Sequence, residues 1–377
     1  MKRVCIVTTT PETVNAFLKE HILVLSRFYD VTVITNTSDN AALNIPSTIK
    51  LVPFAIERDI DIFSDLKSLM VLTKNFRREK FDLVLSVTPK AGLLSALAGC
   101  FSGTKNRLHW FTGQVWVTKR GLKRSLLKFT DKLLASCVRY ALIDSQSQFD
   151  FLTSERVLNP KKGVVLGEGS ICGVNLNRFK FNSDVKKDFR GKIGLDENDK
   201  ILLFLGRMSK DKGIFDLVEA FNLIVNDIDN LHLVLVGPDE QKIEMALSES
   251  GQLHPHIHFI GSTSEPEKWL SIGDVFCLPS YREGFGSSVI EAAAVGLPAI
   301  TSRIYGLTDA VVEGQTGLMH QAGNINEIAT IIKQLIIDKK LRDRLGENAR
   351  KRAETSFNQS HVSKLLLEYI NNILYDK

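Results

Sequence analysis

The sequence predicts an α/β protein made of two doubly wound, parallel-sheet domains. Three observations point there. The chain has 377 residues, more than one hydrophobic core usually serves. Short apolar, β-branched runs alternate with helical patterns along its whole length. These runs are continuously apolar rather than alternating, as in parallel strands covered on both faces. The series is broken once, by NRFKFNSDVKKDFRGKIGLDEND (177–199), which is polar, charged and poor in sheet pattern.

Taken in order, strands are expected at 3–8, 31–36, 49–54, 83–87, 107–110, 141–143 and 163–166. A second series follows at 201–205, 232–236, 258–260, 275–278 and 299–301. The break divides the chain into an N-terminal domain of 1–178 and a C-terminal domain of 179–357. The closing stretch SHVSKLLLEYINNIL (360–374) is an amphipathic helix with no strand after it.

Composition is that of a soluble globular protein: 44% hydrophobic, 24% charged, mean hydropathy near zero. Cys5, Cys100, Cys137, Cys172 and Cys277 are scattered and form no C-x-x-C, which suits buried free thiols in a reducing compartment. The start MKRVCIVTTT reads as a first strand, not a signal peptide. The longest weakly apolar run, 91–101, is too short to span a bilayer. A cytoplasmic protein is therefore expected.

Charge is uneven. Residues 1–180 carry 26 Lys and Arg against 15 Asp and Glu, while the remainder carries 22 against 28. A basic half suggests an anionic partner. The basic residues concentrate in KNFRREK (74–80) and in 117–141, which reads as one amphipathic helix. Leu122, Leu126, Phe129, Leu133, Cys137 and Val138 share one face of it. Arg120, Arg124, Lys128, Lys132 and Arg139 share another. The plain reading is a core-packed helix with a solvated basic side. The sharper one is contact with an anionic membrane surface, each basic residue contributing roughly 1 kcal/mol. Nucleic acid is disfavoured, since the basic residues lack interleaved aromatics.

In open α/β sheets, ligands sit beyond the carboxyl ends of strands. Two loops there carry chemistry. In ILLFLGRMSKDKGIFDLVEAF (201–221) a strand ends at Gly206. Arg207 and Lys212 follow, a planar fork and a point charge suited to a pyrophosphate. In SYREGFGSSVIEAAAVGLPAI (280–300), Gly284, Phe285 and Gly286 precede a helix beginning at Ser287. Amides at such a helix start form an anion site. Glu291, one turn inside, can accept hydrogen bonds from a vicinal diol such as ribose. Glu283 can reach the hydroxyls of a sugar carried on the phosphates. Simple capping would explain less of the second loop, whereas the first reads equally as a solvated loop with surface charges. No G-x-G-x-x-G follows the first strand, which argues against a nicotinamide dehydrogenase.

On these residues the sequence resembles glycosyltransferase family 4, the retaining enzymes of GT-B fold. GRMSKDKG (206–213) resembles the family's G-R-x4-K-G. EGFGSSVIEA (283–292) resembles its E-x7-E motif. GEGSICGVNLNRF (167–179) resembles its interdomain N-G-V-D-x3-F. The resemblance implies two Rossmann-like domains facing a central cleft, with the last helix, about 358–377, packing back on the first domain. It implies a nucleotide-sugar donor, a UDP-hexose or UDP-N-acetylhexosamine, with Arg207 and Lys212 on the diphosphate and Glu291 on the ribose. Glu283, with Gly284, Phe285, Gly286 and Ser287, would hold the donor sugar. By the same resemblance, RLHWFTGQVW (107–116) would place His109 beside the anomeric region, and Thr10, Asp144 and Ser145 on the acceptor side; without it, a lone His after a strand reads as a structural hydrogen-bonder. The implied acceptor is a glycan or a polyprenyl-diphosphate-linked sugar, as in surface-polysaccharide assembly. That places the enzyme peripherally on the inner face of the cell membrane.

Two departures stand out. TTTPETV (8–14) replaces the Gly-Gly often found in the first loop, and Asn175 replaces an Asp. The first-domain loops offer His109 but no clear carboxylate, which favours a front-face transfer over a double displacement. No cofactor or metal is expected. Asp-x-Asp occurs at 59–61 and 227–229, but neither triplet follows a strand that would aim it at a phosphate. The alternatives are a nucleotide-sugar 2-epimerase of the same fold and an inactive nucleotide-sugar-binding subunit.

Overall fold

The computed structural model describes residues 1–37, 43–54, 56 and 61–375. Asp59 of the first Asp-x-Asp triplet and the last two residues of the expected C-terminal helix lie outside them. The chain forms two compact units: Met1–Gly173 with the segment from Gln359, and Val174–Asn358. The division falls after Gly173 rather than after 178. Val174 donates its amide to Phe357 O at 2.7 Å and bridges Asn358, so it is already held by the second unit.

The first unit holds a seven-stranded sheet in the order β3-β2-β1-β4-β5-β6-β7. Its strands are β1 Arg3–Val7, β2 Asp30–Thr35, β3 Lys50–Pro53, β4 Leu83–Val87, β5 Asn106–Phe111, β6 Tyr140–Ile143 and β7 Gly163–Val165. All of its pairings are parallel. The central strands are apolar on both faces because helices cover both. The helix Gln359–Tyr375 packs on this unit. Leu366 and Ile370 enter the core beside Ile22 and Leu25. Ser363 Oγ lies 2.9 Å from His21 Nδ1, while His21 Nε2 meets Ile171 O at 2.5 Å.

The second unit holds a six-stranded parallel sheet in the order β10-β9-β8-β11-β12-β13. Its strands are β8 Lys200–Leu205, β9 Leu231–Val236, β10 Ile257–Gly261, β11 Val275–Leu278, β12 Ala299–Ser302 and β13 Gly317–His320. Strand β13 is the one the sequence pattern misses. It is a short edge strand opening on glycine, and it pairs only with β12 among the described strands. Strand order reverses between β8 and β11, so the loops after these two strands flank the switch point where open sheets bind ligands.

The basic stretch 117–141 is not one helix. Val115–Thr118 forms a 3-10 turn, Arg120 is extended, and the helix runs Gly121–Cys137. Its apolar stripe is divided: Val138 is buried and Leu133 and Cys137 half-buried, while the basic residues Arg124, Lys132 and Arg139 are exposed. Asp131, Leu134 and Ala135 are buried, whereas Leu122 is 90% exposed, Leu126 60% and Phe129 61%. The first half of the apolar stripe, Leu122, Leu126 and Phe129, therefore faces solvent.

Candidate functional site

In the second unit the two strand-end loops meet. After β8, Gly206 turns the backbone and donates its amide to Val236 O at 2.9 Å. Lys210–Lys212 makes a 3-10 turn that ends at Gly213 with φ 70°. A Cβ at Gly213 would lie 2.1 Å from Pro279 O, so only glycine lets the β8 loop press against the β11 loop. Tyr281 N donates to Asp211 O at 2.8 Å, and the Arg282 guanidinium reaches Asp211 Oδ2 at 3.3 Å. Tyr281 OH donates to Asp216 Oδ2 at 2.5 Å.

This contact brings Lys212 to Glu283. The ammonium pairs with Oε1, which also accepts from Ser280 Oγ at 2.8 Å. Arg207 points elsewhere and pairs with Glu240 Oε2 at 2.7 Å, half exposed. The two cations assigned to a diphosphate thus stand on one loop but hold different carboxylates.

The helix Ser287–Val295 starts at Gly286, whose φ of 92° is open to glycine. A Cβ there would lie 2.6 Å from Leu307 Cδ2. Gly284 O lies 2.5 Å from the Cβ position of Gly306, so backbone packs on backbone and fixes the turn. The Phe285 ring is 2% exposed and lies edge-on to Phe357 at 5.2 Å, so its side chain belongs to the core. Only its main chain remains for a ligand. Glu291 follows one turn inside the helix. Burial pushes its carboxyl up to about 7, Arg178 opposes the rise and Glu267 adds to it. Arg178 itself is anchored by Glu267 Oε2 at 2.8 Å and Ser264 O at 2.7 Å. Sequence reasoning quoted Arg178 within the interdomain segment but gave it no role. Glu267 is 89 positions away, and nothing local marks the pair.

In the first unit, His109 stands on β5, 2% exposed, with Nδ1 2.9 Å from Ser86 Oγ. Burial pulls it down to about 3 despite that hydrogen bond, so the imidazole is neutral. Gly92 gives it room, because a Cβ there would lie 2.4 Å from His109 Cε1. His109 lines a small cavity with Pro89, Phe111, Thr112, Gln114 and Asp131. Asp131 accepts from Trp116 Nε1 at 2.8 Å, and burial pushes its carboxyl up to about 6. The sequence reading passed over it, although a lone acid within 117–141 is its signal.

The residues assigned to the acceptor side are also buried. Thr10 Oγ1 lies 3.3 Å from Thr13 Oγ1 at the start of a short helix, and Thr9 Oγ1 meets Thr88 Oγ1 at 2.5 Å. Burial pushes Asp144 up to about 8, with Trp110 opposing. Ser145 caps the helix Gln146–Ser154, accepting from Gln148 N at 3.2 Å. The Gln148 side chain then donates to Thr112 O at 2.6 Å, tying the loops after β5 and β6 together.

Among the described residues, no group of three or more His, Cys, Asp or Glu could hold a metal ion. Asp227 of the second Asp-x-Asp triplet pairs with Lys333 at 2.9 Å.

Two Rossmann-like parallel sheets, with a glycine-turned, cation-bearing loop pair at a switch point, define the GT-B class of α/β protein. Residues 185–352 match the family model described as "Glycosyl transferases group 1". Over 323 residues the chain is 33% identical to the capsular polysaccharide biosynthesis glycosyltransferase CapM of Staphylococcus aureus, covering 85% of this chain and 84% of that one. It is 26% identical over 368 residues to the UDP-Gal:alpha-D-GlcNAc-diphosphoundecaprenol alpha-1,3-galactosyltransferase of Escherichia coli, covering 95% and 93%. Among solved structures, sucrose-phosphate synthase of Thermosynechococcus elongatus superposes with a TM-score of 0.83 at 20% identity, covering 100% of both chains. The chain belongs to the group 1 glycosyl transferases and is a glycosyltransferase.

Proposed function

We propose that the protein is a retaining, metal-independent hexosyltransferase of surface-polysaccharide synthesis. It transfers a hexose or N-acetylhexosamine from a UDP donor to a polyprenyl-diphosphate-linked glycan. The observation that carries the donor site is the Lys212–Glu283 pair beside the Gly286 helix start. A diphosphate at this point meets Lys212 and main-chain amides at the positive end of a helix dipole. Glu283 then turns to the sugar hydroxyls, and Glu291 accepts from the ribose diol. Arg207, half exposed on Glu240, closes over the phosphates from the other end of its loop. The leaving diphosphate is stabilised by fixed cations and dipoles, which a metal would otherwise supply.

Asp131 is the carboxyl group in the His109 cavity, but it is buried and bonded to Trp116, which makes it a positioning group and not an open nucleophile. Neutral His109 donates or accepts one hydrogen bond near the anomeric carbon. A front-face route follows, in which the departing phosphate takes the acceptor proton. The two curated relatives support this reading through their names: one serves capsule synthesis, the other uses UDP-Gal and a diphosphoundecaprenol-linked acceptor.

Acceptors of this kind sit in a membrane. No helix among the described residues is long and apolar enough to cross one. The exposed stripe of Leu122, Leu126 and Phe129, flanked by exposed Arg120 and Lys123, suits a helix lying in an anionic interface on the cytoplasmic side. On the helix Ile62–Glu79, Phe63 is 86% exposed, Ile62 69% and Met70 66%, which adds a second apolar ridge to the same unit.

The test is a thermal-shift panel of UDP, GDP and ADP, followed by stereochemical analysis of the product formed with a polyprenyl-diphosphate sugar in chelator. UDP stabilises the protein over GDP and ADP, and the product keeps the donor's α-configuration. Inversion, or activity that returns only with Mn²⁺, overturns the mechanism. Epimerised donor formed without acceptor overturns the transfer.

A further inference from the structure

Cys5, Cys172 and Cys277 are buried, whereas Cys100 is exposed and Cys137 half-buried. These last two sit at the carboxyl ends of packed helices, Cys100 in the last turn of Pro89–Ser102 and Cys137 at the end of Gly121–Cys137. Cys100 Sγ donates to Cys137 O at 3.6 Å, which puts the two cysteines side by side. One arginine braces both ends. Arg107 Nε donates to Cys137 O at 2.7 Å, and its aliphatic stem lies where a Cβ on Gly99 would be 2.6 Å from Arg107 Cδ. Lys162 caps the second helix, donating to the carbonyls of Ala135 at 2.9 Å, Ser136 at 3.1 Å and Val138 at 2.8 Å. The two cysteines are thus neighbours at braced helix ends, with Cys100 exposed and Cys137 half-buried.

We propose that Cys100 and Cys137 form a reversible disulfide when the protein meets hydrogen peroxide, clamping the two helix ends together. The Cys100 thiolate attacks a peroxide oxygen, giving a sulfenic acid and releasing hydroxide. The Cys137 thiolate then attacks that sulfur, forming the S–S bond and expelling a second hydroxide. The two thiols lose two protons and two electrons, and one peroxide becomes two waters. Burial pushes the Cys100 thiol up while Arg107 and Lys162 draw it back, so the reaction is slow and stoichiometric. The clamp closes a loop containing β5 with His109 and the whole exposed apolar helix. It stiffens the first unit, and it is independent of the function proposed above.

The experiment treats the full chain with a few equivalents of hydrogen peroxide, alkylates the remaining thiols under denaturing conditions, and measures intact mass and tryptic peptides. The expected product is a monomer lighter by about 2 Da before alkylation, with two fewer alkylated thiols and one cross-linked peptide pair joining Cys100 to Cys137. Dithiothreitol restores all thiols. C100S and C137S each abolish the cross-link, and C277S keeps it. The oxidised form melts higher than the reduced form, as loop closure requires. Overturning results are a disulfide-linked dimer, a cross-link to another cysteine, or Cys100 and Cys137 both alkylated after treatment. Peptide mapping of the wild-type protein decides the matter even if a serine variant fails to fold.

Discussion

Lys212 and Glu283 stand 71 positions apart in sequence yet form one ion pair, with side chains only 19% and 11% exposed. Removing one partner leaves the other charge largely buried, so the pair is best probed by isosteric change. Glu283→Gln should lower turnover by about 10²-fold while UDP affinity stays within a few-fold. Lys212→Ala should weaken UDP binding as well, because the diphosphate loses its ammonium. Steady-state kinetics with calorimetric UDP titration check both; unchanged transfer in either variant refutes the assignment. Glu291 makes a different prediction. Its folded-state carboxyl titrates near 7 against the usual 4.5, so it favours the folded protein below pH 4.5, and that favour is lost as pH rises through 7. The full effect is on the order of 3–4 kcal/mol at most. Glu291→Gln should flatten the stability slope between pH 5 and 8 in urea unfolding; a slope equal to wild type counts against the buried carboxyl. The sequence made Glu283 and Glu291 legible, because a Gly-x-Gly turn between two acids is rare in plain capping. It left Arg178, Glu267 and Asp131 unread. Their roles come from partners far along the chain or from burial on an unexpected helix face, and neither leaves a local pattern.

At the scale of elements, all twelve expected strands are present, since buried parallel strands are written as continuous apolar runs. Strand β13 escaped because its Gly317-Leu318-Met319-His320 sequence is short and mixed. The stretch 117–141 leaves a core-packed helix and a membrane-facing one both open, since periodicity reports a face but not what covers it. The contact between the β8 and β11 loops rests on one glycine. Gly213→Ala combines a left-handed backbone with a Cβ 2.1 Å from Pro279 O. It should cost about 2–4 kcal/mol and pull Lys212 away from Glu283. Urea unfolding and UDP affinity should fall together. Intact UDP binding in this variant would show that the donor site does not depend on the loop contact.

For the whole molecule, buried and half-buried groups of opposite type set the pH range of stability. His21, His109 and His232 are pulled down to about 4, 3 and 4, so their contribution is present above the usual 6.5 and lost as pH falls through those values. Asp131, Asp144 and Glu291 are pushed up to about 6, 8 and 7, so theirs is present at low pH and lost as pH rises through them. The two slopes oppose each other between about pH 4 and 6.5, and only the carboxyls act from 6.5 to 8. Stability should therefore be flat in the first window and decline in the second, with Asp144→Asn removing part of the decline. A denaturation series across pH that rises steadily to 8 would contradict this. The exposed stripe of Leu122, Leu126 and Phe129 makes a separate prediction. The triple Asp variant should lose sedimentation with anionic vesicles at low salt by at least about tenfold while keeping its melting point. Equal binding by wild type and variant removes the helix from the interface.

The Lys212–Glu283 pair also bears on what the protein ignores. A cation already held by its own neighbour is a poor trap for small ions. Inorganic phosphate or sulfate has to displace a tethered carboxylate that is effectively present at very high concentration, and it offers nothing for that carboxylate to do afterwards. On the function proposed above, a nucleotide sugar would give Glu283 new hydroxyls to hold as it leaves Lys212. If that donor site is correct, the resting pair is self-inhibited toward simple anions, exchanging some raw donor affinity for staying clear in a phosphate-rich medium.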